Sequence, residues 1–333
     1  MRDELLARFP ALTKLPPGCY VVGGAVRDLS MQREPADVDL ACADPLAAAQ
    51  SISPRVIRLG SGEHLSAWRV VIGEQVYDFA ALEGGSIEPD LARRDFTINA
   101  MAVSLDDGAL LDPHGGRRDL ALRVVRMVDP ANFDDDPLRM LKAVRMAVAY
   151  DFTIEPETLH AIAARAPRIV ESARERIASE LSLILSAQRF TTAVALLQET
   201  RLDGPLALRT RAFHADDVTL DGALALLMDE PPSKDARTLQ RLLDRHDRIA
   251  LYDAGERVAR QLPPMLRALG RDDALDWPDF AARALLGGDE LAALLGIEPG
   301  KELGRIKRAL LEAQLRGEVT TRAEAERFVR EMS

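Results

Sequence analysis

The hydrophobic pattern of this chain changes period near Asp134, and that break limits what it can fold into. Before it, "CYVVGG", "DVDLACA", "RVIRLG", "WRVVIG" and "QVYDFAA" are short β-branched or alternating runs bounded by Gly, Pro or Asp, which is the pattern of strands. "DPLAAAQSI" between them reads as a short helix started at Asp44. After the break, "DDPLRMLKAVRMAVAY", "EPETLHAIAARA", "ARERIASELSLILSA" and "TTAVALLQET" carry helical periodicity. Nearly everything onward to "TRAEAERFVREM" reads as helix, with "DEPPSKD" at Pro231 and Pro232 as the clearest loop. The pattern predicts an α/β head over 1–130, a helical neck over 131–190 and a helical body and tail over 191–333. A length of 333 residues agrees, because it exceeds what one core of usual size holds.

Composition excludes several classes. No apolar run approaches the roughly 18 residues of a membrane span, and "MRDELLARFP" lacks the apolar core of a signal peptide, so a cytoplasmic protein is expected. The two cysteines, Cys19 and Cys42, are too few for a disulfide framework or a four-thiolate zinc site, and both are expected to be buried thiols. A net charge of −10 argues against indiscriminate coating of nucleic acid, although a local basic stripe remains compatible with an acidic body.

The stretch "YVVGGAVRDLSMQREPADVDLACA" carries the first chemistry. On a strand, Asp37 and Asp39 project from one face. Two like carboxylates side by side repel unless they hold a cation, and Mg2+ prefers carboxylate oxygens completed by water and substrate phosphates. Asp78 in "QVYDFAA" is the candidate third acid. Alone, the pair fits a solvent-facing edge strand equally well. Upstream, Gly23 and Gly24 would let backbone N–H groups approach a phosphate, and Arg27 lies within reach of a triphosphate. The spacing matches neither the dinucleotide fingerprint nor a P-loop.

Three further stretches, "RRDFTINAMAV" (93–103), "DPHGGRRDL" (112–120) and "DDPLRMLKAVR" (135–145), complete a resemblance. With the opening stretch they resemble the bacterial-type, class II tRNA nucleotidyltransferase and poly(A) polymerase family, almost continuously over residues 18–185. "ERIASEL" (175–181) is similar to the family's last head and neck motif, and the C-terminal segment matches more loosely. The resemblance implies a polymerase-β-like catalytic head on a helical neck, body and tail that bind tRNA. It implies metal-ligand roles for Asp37 and Asp39, and nucleotide-binding roles for Gly23, Gly24, Arg27, Arg94, Asp95, Asn99, Asp136, Arg139, Lys142 and Arg145.

The helix of "DDPLRMLKAVR" also has a physical reading. Asp135 or Asp136 is expected to cap it, with Pro137 in its first turn. Asp136, Arg139 and Lys142 recur every three residues on one face, and Arg145 continues it. A solvated charged face would look the same. Cytosine and adenine both present an exocyclic amine beside a ring-nitrogen acceptor, so a carboxylate can accept from the first and a guanidinium donate to the second. Guanine and uracil present the reverse order. Asp136 with Arg139 would therefore accept C and A and reject G and U, by about 1–3 kcal/mol for a bidentate match.

The chain departs from the family in places. Asp135 stands where Glu is usual, and Lys142 replaces a more usual Arg, which keeps charge but loses the fork geometry. The connection "ALEGGSIEPDLA" is far shorter than the flexible loop of CCA-adding members and resembles the CC-adding branch. The expected function is Mg2+-dependent addition of cytidine from CTP to tRNA 3′ ends. Full CCA addition with ATP stays open, and poly(A) synthesis or a non-catalytic RNA-binding protein are the alternatives. The histidines, His64 and His246 among them, and Trp68 and Trp277 are expected to be structural or surface residues. The tail from Gly300 fits either a tRNA-facing surface or a solvated helix pair. No membrane and no protein partner is indicated.

Overall fold

The computed structural model of the chain describes residues 1–59 and 67–332, so His64 lies outside the described residues. Seven strands form one sheet in the order β3-β4-β5-β2-β1-β6-β7: β1 (Cys19–Val22), β2 (Asp37–Cys42), β3 (Ile57–Leu59), β4 (Ala67–Ile72), β5 (Gln75–Ala81), β6 (Ala102–Ser104) and β7 (Leu110–Leu111). Only β2 and β5 run parallel; the other neighbours are antiparallel. All five runs read as strands are strands, and Asp44 caps the intervening helix by accepting from the Ala47 N–H at 2.9 Å.

Alternation along β2 decides what the sheet buries. Val38 and Leu40 face a core with Val21, Val26, Tyr77 and Phe79, where each fully buried side chain of this size is worth about 1.5–3 kcal/mol. Asp39 and Ala41 face the other way, where Ala41 packs with Val22, Ile87 and Leu91. Cys19 and Cys42 are directly opposed across β1 and β2, buried and free.

Helices α1 (Arg2–Arg8), α2 (Gly24–Ser30), α3 (Pro45–Ile52), α4 (Ile87–Ala92) and α5 (Gly116–Leu122) accompany the sheet. Helices α6 (Asn132–Asp135), α7 (Arg139–Tyr150), α8 (Pro156–Arg165) and α9 (Arg174–Leu185) follow. A short parallel ladder between β8 (Val124–Val125) and β9 (Thr153–Ile154) ties the end of the head to the chain beyond α7. The N-terminus of α7 differs from expectation. The helix begins at Arg139 without a side-chain cap, and Asp135 ends α6. The Asp136 carboxylate instead accepts from the Leu138 N–H at 3.3 Å, an Asx-type turn ahead of the helix.

The chain divides into two compact units, residues 1–187 with 195–206, and residues 188–194 with 207–333. The first holds the sheet and α1–α9. The second contains α11 (Leu220–Leu227), α12 (Lys234–Asp244), α13 (Arg248–Ala254), α14 (Glu256–Ala259), α15 (Leu262–Ala268), α16 (Gly288–Leu295), α17 (Lys301–Leu315) and α18 (Arg322–Met332); α10 (Phe190–Glu199) contributes residues to both. Helices α16–α18 share an apolar core of Leu291, Ile306, Leu310 and Val329.

The nearly continuous helix expected here is interrupted at 207–219 and 271–287. The first stretch uses its backbone elsewhere: Arg209 N–H donates to the Leu227 carbonyl (2.7 Å) and His214 N–H to the Ala268 carbonyl (2.9 Å). These carbonyls end α11 and α15 and have no partner within their own helices. Asp247 caps α13, and His246 contacts the Leu242 carbonyl and Asp273, so this His-Asp pair is structural. Trp68 packs beside the head core, and Trp277 lies against Arg260 and Phe280.

Candidate active site

The β1–α2 turn is built around Gly23, whose φ of 71° and ψ of −130° suit glycine. A Cβ there would stand 2.9 Å from Nη1 of Arg94 and 3.5 Å from Oδ2 of Asp39. The turn therefore passes close to a cation and a carboxylate from two other segments. Asp39 is placed by strand register, with Val22 opposite on β1 and Asp78 opposite on β5.

The "RRDFTIN" segment is braced from below. Asp112 accepts from the N–H groups of Gly116 and Arg117 at the start of α5. Any side chain at Gly116 would collide with the Thr97 carbonyl, whose oxygen lies 2.2 Å from where a Cβ would stand. Buried Asp119 then accepts from Thr97 Oγ1 (2.7 Å) and from Arg126 (3.1 Å). "DPHGGRRDL" is thus a support for "RRDFTIN", with His114 in the turn.

These segments and α7 line an open cavity of about 420 Å3. Gly23, Gly24 and Arg27 line it from the glycine turn, and Asp37 and Asp39 from β2. Arg94, Asp95 and Asn99 line it from the braced segment, and Asp136, Arg139, Lys142 and Arg145 from α7 and its approach. Five cations thus meet four carboxylates. Asp78 is the one singled-out residue outside this lining. Its carboxylate is taken by Arg69 of β4, which donates Nε to Oδ1 (2.7 Å) and Nη2 to Oδ2 (2.6 Å). Among the described residues, no group of three or more His, Cys, Asp or Glu side chains is gathered as a metal cage.

Burial pushes the Asp39 carboxyl up to about 6, and the charges of Asp37 and Asp78 add to it, while Arg94 and Lys142 oppose them. Two carboxylates on one strand face, one of them reluctant to ionise alone, fit a divalent cation whose remaining positions go to water and phosphate oxygens.

The arginines are individually anchored. Arg94 donates Nε and Nη2 to Asp90 of α4 at 3.1 and 3.0 Å, which leaves Nη1 beside Gly23. Arg145 is paired with Glu180 of α9 (2.7 Å), so the "ERIASEL" stretch contacts α7 directly. Asp136 accepts from Arg176 of α9 (2.9 Å) through Oδ2, and Arg139 donates Nη1 to the Asn132 carbonyl (2.9 Å). Asp90, Arg176 and Glu180 were not singled out from sequence. Only the family motif around the last two pointed near them, since each acts through a partner more than three positions away.

Similarity to known proteins agrees with this geometry. The profile described as the poly(A) polymerase head domain matches residues 19–84 and 73–126, and the probable RNA and SrmB-binding site of polymerase A matches 151–206. The A-adding tRNA nucleotidyltransferase of Deinococcus radiodurans is 32% identical over 98% of this chain and 98% of its own. The CC-adding tRNA nucleotidyltransferase of Geobacter sulfurreducens is 30% identical over 94% of this chain and 91% of its own. In fold, the CCA-adding enzyme of Thermotoga maritima complexed with tRNA is similar, with a TM-score of 0.75 at 22% identity over 99% of this chain and 95% of that one. Head, cavity and full-length similarity agree: the chain belongs to the class II tRNA nucleotidyltransferase family, and it is an enzyme of that class.

Proposed function

We propose that this enzyme adds cytidine to the 3′ end of tRNA, two residues from CTP, with Mg2+ as its metal, working in the cytoplasm. The observation that carries the reading is one cavity lined by the Asp37–Asp39 pair, the Gly23–Gly24 turn and the Asp136–Arg139 pair. Divalent-metal dependence comes with the family, and Asp37 and Asp39 would hold the ion. When bound, it supplies charge stabilisation at the reacting phosphate and lowers the pKa of the attacking hydroxyl.

The chain's own residues orient the reactants. Backbone N–H groups of the glycine turn, with Arg27 and Arg94, receive the triphosphate. Asp136 keeps Oδ1 only weakly engaged and can accept from the exocyclic amine of cytosine. Arg139 spends one Nη1 bond on its anchor and has further donors for the ring nitrogen. A good bidentate match contributes about 1–3 kcal/mol of discrimination, and burial of the mismatched groups of G or U adds to it.

Support for stopping after two cytidines is the short segment between β5 and Arg94. It is folded into a 3₁₀ turn (Glu83–Gly85) and the six-residue α4, and Asp90 holds Arg94. A second reading, addition of the terminal A alone, is favoured by the full-length similarity to the A-adding enzyme. Labelled CTP and ATP, given separately and together to tRNA ending at the discriminator base and to tRNA ending in CC, separate these readings. Two cytidines on the first and nothing on the second support the proposal. A single adenosine on the second supports the A-adding reading, a three-nucleotide product supports CCA addition, and a long A tract supports poly(A) synthesis.

A further inference from the structure

The last residue of α7, Tyr150, lies outside the cavity lining, yet it touches the most buried cation of the site. Arg27 is 7% exposed, and its guanidinium is fully engaged. Nε donates to Asp28 Oδ1 (2.9 Å), Nη1 to Asn99 Oδ1 (2.7 Å) and Nη2 to the Tyr150 hydroxyl (2.7 Å). The Tyr150 hydroxyl in turn donates to Asp28 Oδ1 at 3.2 Å. The Arg27 and Arg33 guanidinium carbons lie 4.7 and 4.9 Å from the Tyr150 ring centroid. Asn99 passes the chain on, donating Nδ2 to Asp95 Oδ1 at 3.0 Å. One hydrogen-bonded run thus joins the far end of α7 to the helix after the glycine turn and to the "RRDFTIN" segment.

We propose that Tyr150 is a positioning residue for nucleotide binding: its hydroxyl fixes the Arg27 guanidinium against Asn99 and Asp28, so that the triphosphate meets a preformed cation. A buried arginine without one of its acceptors turns toward another, and its charge then leaves the place where a phosphate would meet it. Burial holds the Tyr150 phenol above its ordinary range, which keeps it protonated as the donor to Asp28. The same helix begins at Arg139, so Tyr150 and the arginine of the base-reading pair are carried by one helix. The inference rests on reading the cavity as the nucleotide site. It predicts that Tyr150 affects CTP and ATP equally, because it acts on the phosphates and not on the base.

The test measures CTP and ATP affinity of the full chain with Mg2+ and no RNA, by titration calorimetry, for the wild type and Tyr150→Phe. Phenylalanine keeps the ring against Arg27 and Arg33 and removes only the hydroxyl. About tenfold weaker binding of both nucleotides is expected from one hydrogen bond to a charged group. The thermal midpoint should stay close to wild type, and kcat at saturating nucleotide should change less than KM. In an Arg27→Lys background the same substitution should add no further loss, because the shared partner is already gone. Unchanged affinity in Tyr150→Phe overturns the proposal. So does a loss that persists undiminished beside Arg27→Lys, or one that only tracks a lowered thermal midpoint. A wild type that binds CTP but extends no tRNA refutes the proposed activity and leaves the Tyr150 result standing.

Discussion

Gly23→Ala tests how closely the turn, the acid pair and Arg94 are packed together. The substitution brings two separable costs. Backbone at φ 71° and ψ −130° is strained for alanine by about 1–3 kcal/mol. The new methyl also meets Nη1 of Arg94 at 2.9 Å, so that guanidinium has to move. Arg94 can move only by loosening its two bonds to Asp90, and its displacement removes the cation that most opposes protonation of Asp39. A shift on the order of 1 Å in a positioning group costs roughly 100-fold in rate. Gly18→Ala supplies the control: its φ of 82° is also in the region that favours glycine, but nothing lies within 4 Å of the new methyl. Urea unfolding and single-turnover incorporation of labelled CMP should show both variants destabilised, with only Gly23→Ala losing about two orders of magnitude in rate. Equal rates in the two variants would refute the steric reasoning.

Other outcomes follow from the same geometry. Asp39→Ala should abolish incorporation while tRNA affinity, read by gel shift, stays near wild type; normal turnover would overturn the metal assignment. The Asp39 carboxyl is raised to about 6, against about 3.9 in an unfolded chain. The metal-free folded state therefore holds its proton more tightly than the unfolded state. Its stability falls as pH rises from about 4 to about 6, and metal must displace a proton below about 6. The half-saturating Mg2+ concentration should climb as pH drops from 7 to 5 in wild type, and a flat profile contradicts this. Asp90→Ala removes both anchors of Arg94 and should lower kcat/KM by tenfold or more, since a hydrogen bond to a charged group is worth about 1.5–3 kcal/mol; steady-state kinetics with CTP check it.

Local signals in the sequence carried far. Strand alternation placed Asp37 and Asp39 on one face, and the Asp44 cap and the five strand runs appear where the residues suggested. What stayed hidden are contacts that only the tertiary fold creates. Asp78 sits beside Asp39 by register, yet a cross-strand arginine on β4 occupies it, and the pairing of β4 with β5 is not written in either run alone. Asp136 looked like a helix cap because the proline after it suits a first turn. Here Arg176, forty residues on, holds it, and the helix starts later. The non-helical stretches of the second unit have apolar residues enough for helix, but N–H groups of the first of them serve the ends of other helices.

The central claim is that Asp136 and Arg139 read the incoming base in place of a template. Single-turnover incorporation of each of the four nucleotides at a tRNA 3′ end, by wild type and by Asp136→Ala, tests it most directly. The account predicts that wild type takes CTP far better than GTP or UTP and that Asp136→Ala narrows this gap by about 1–3 kcal/mol, roughly 5- to 150-fold. An Asp136→Ala enzyme that still discriminates as wild type does would contradict it.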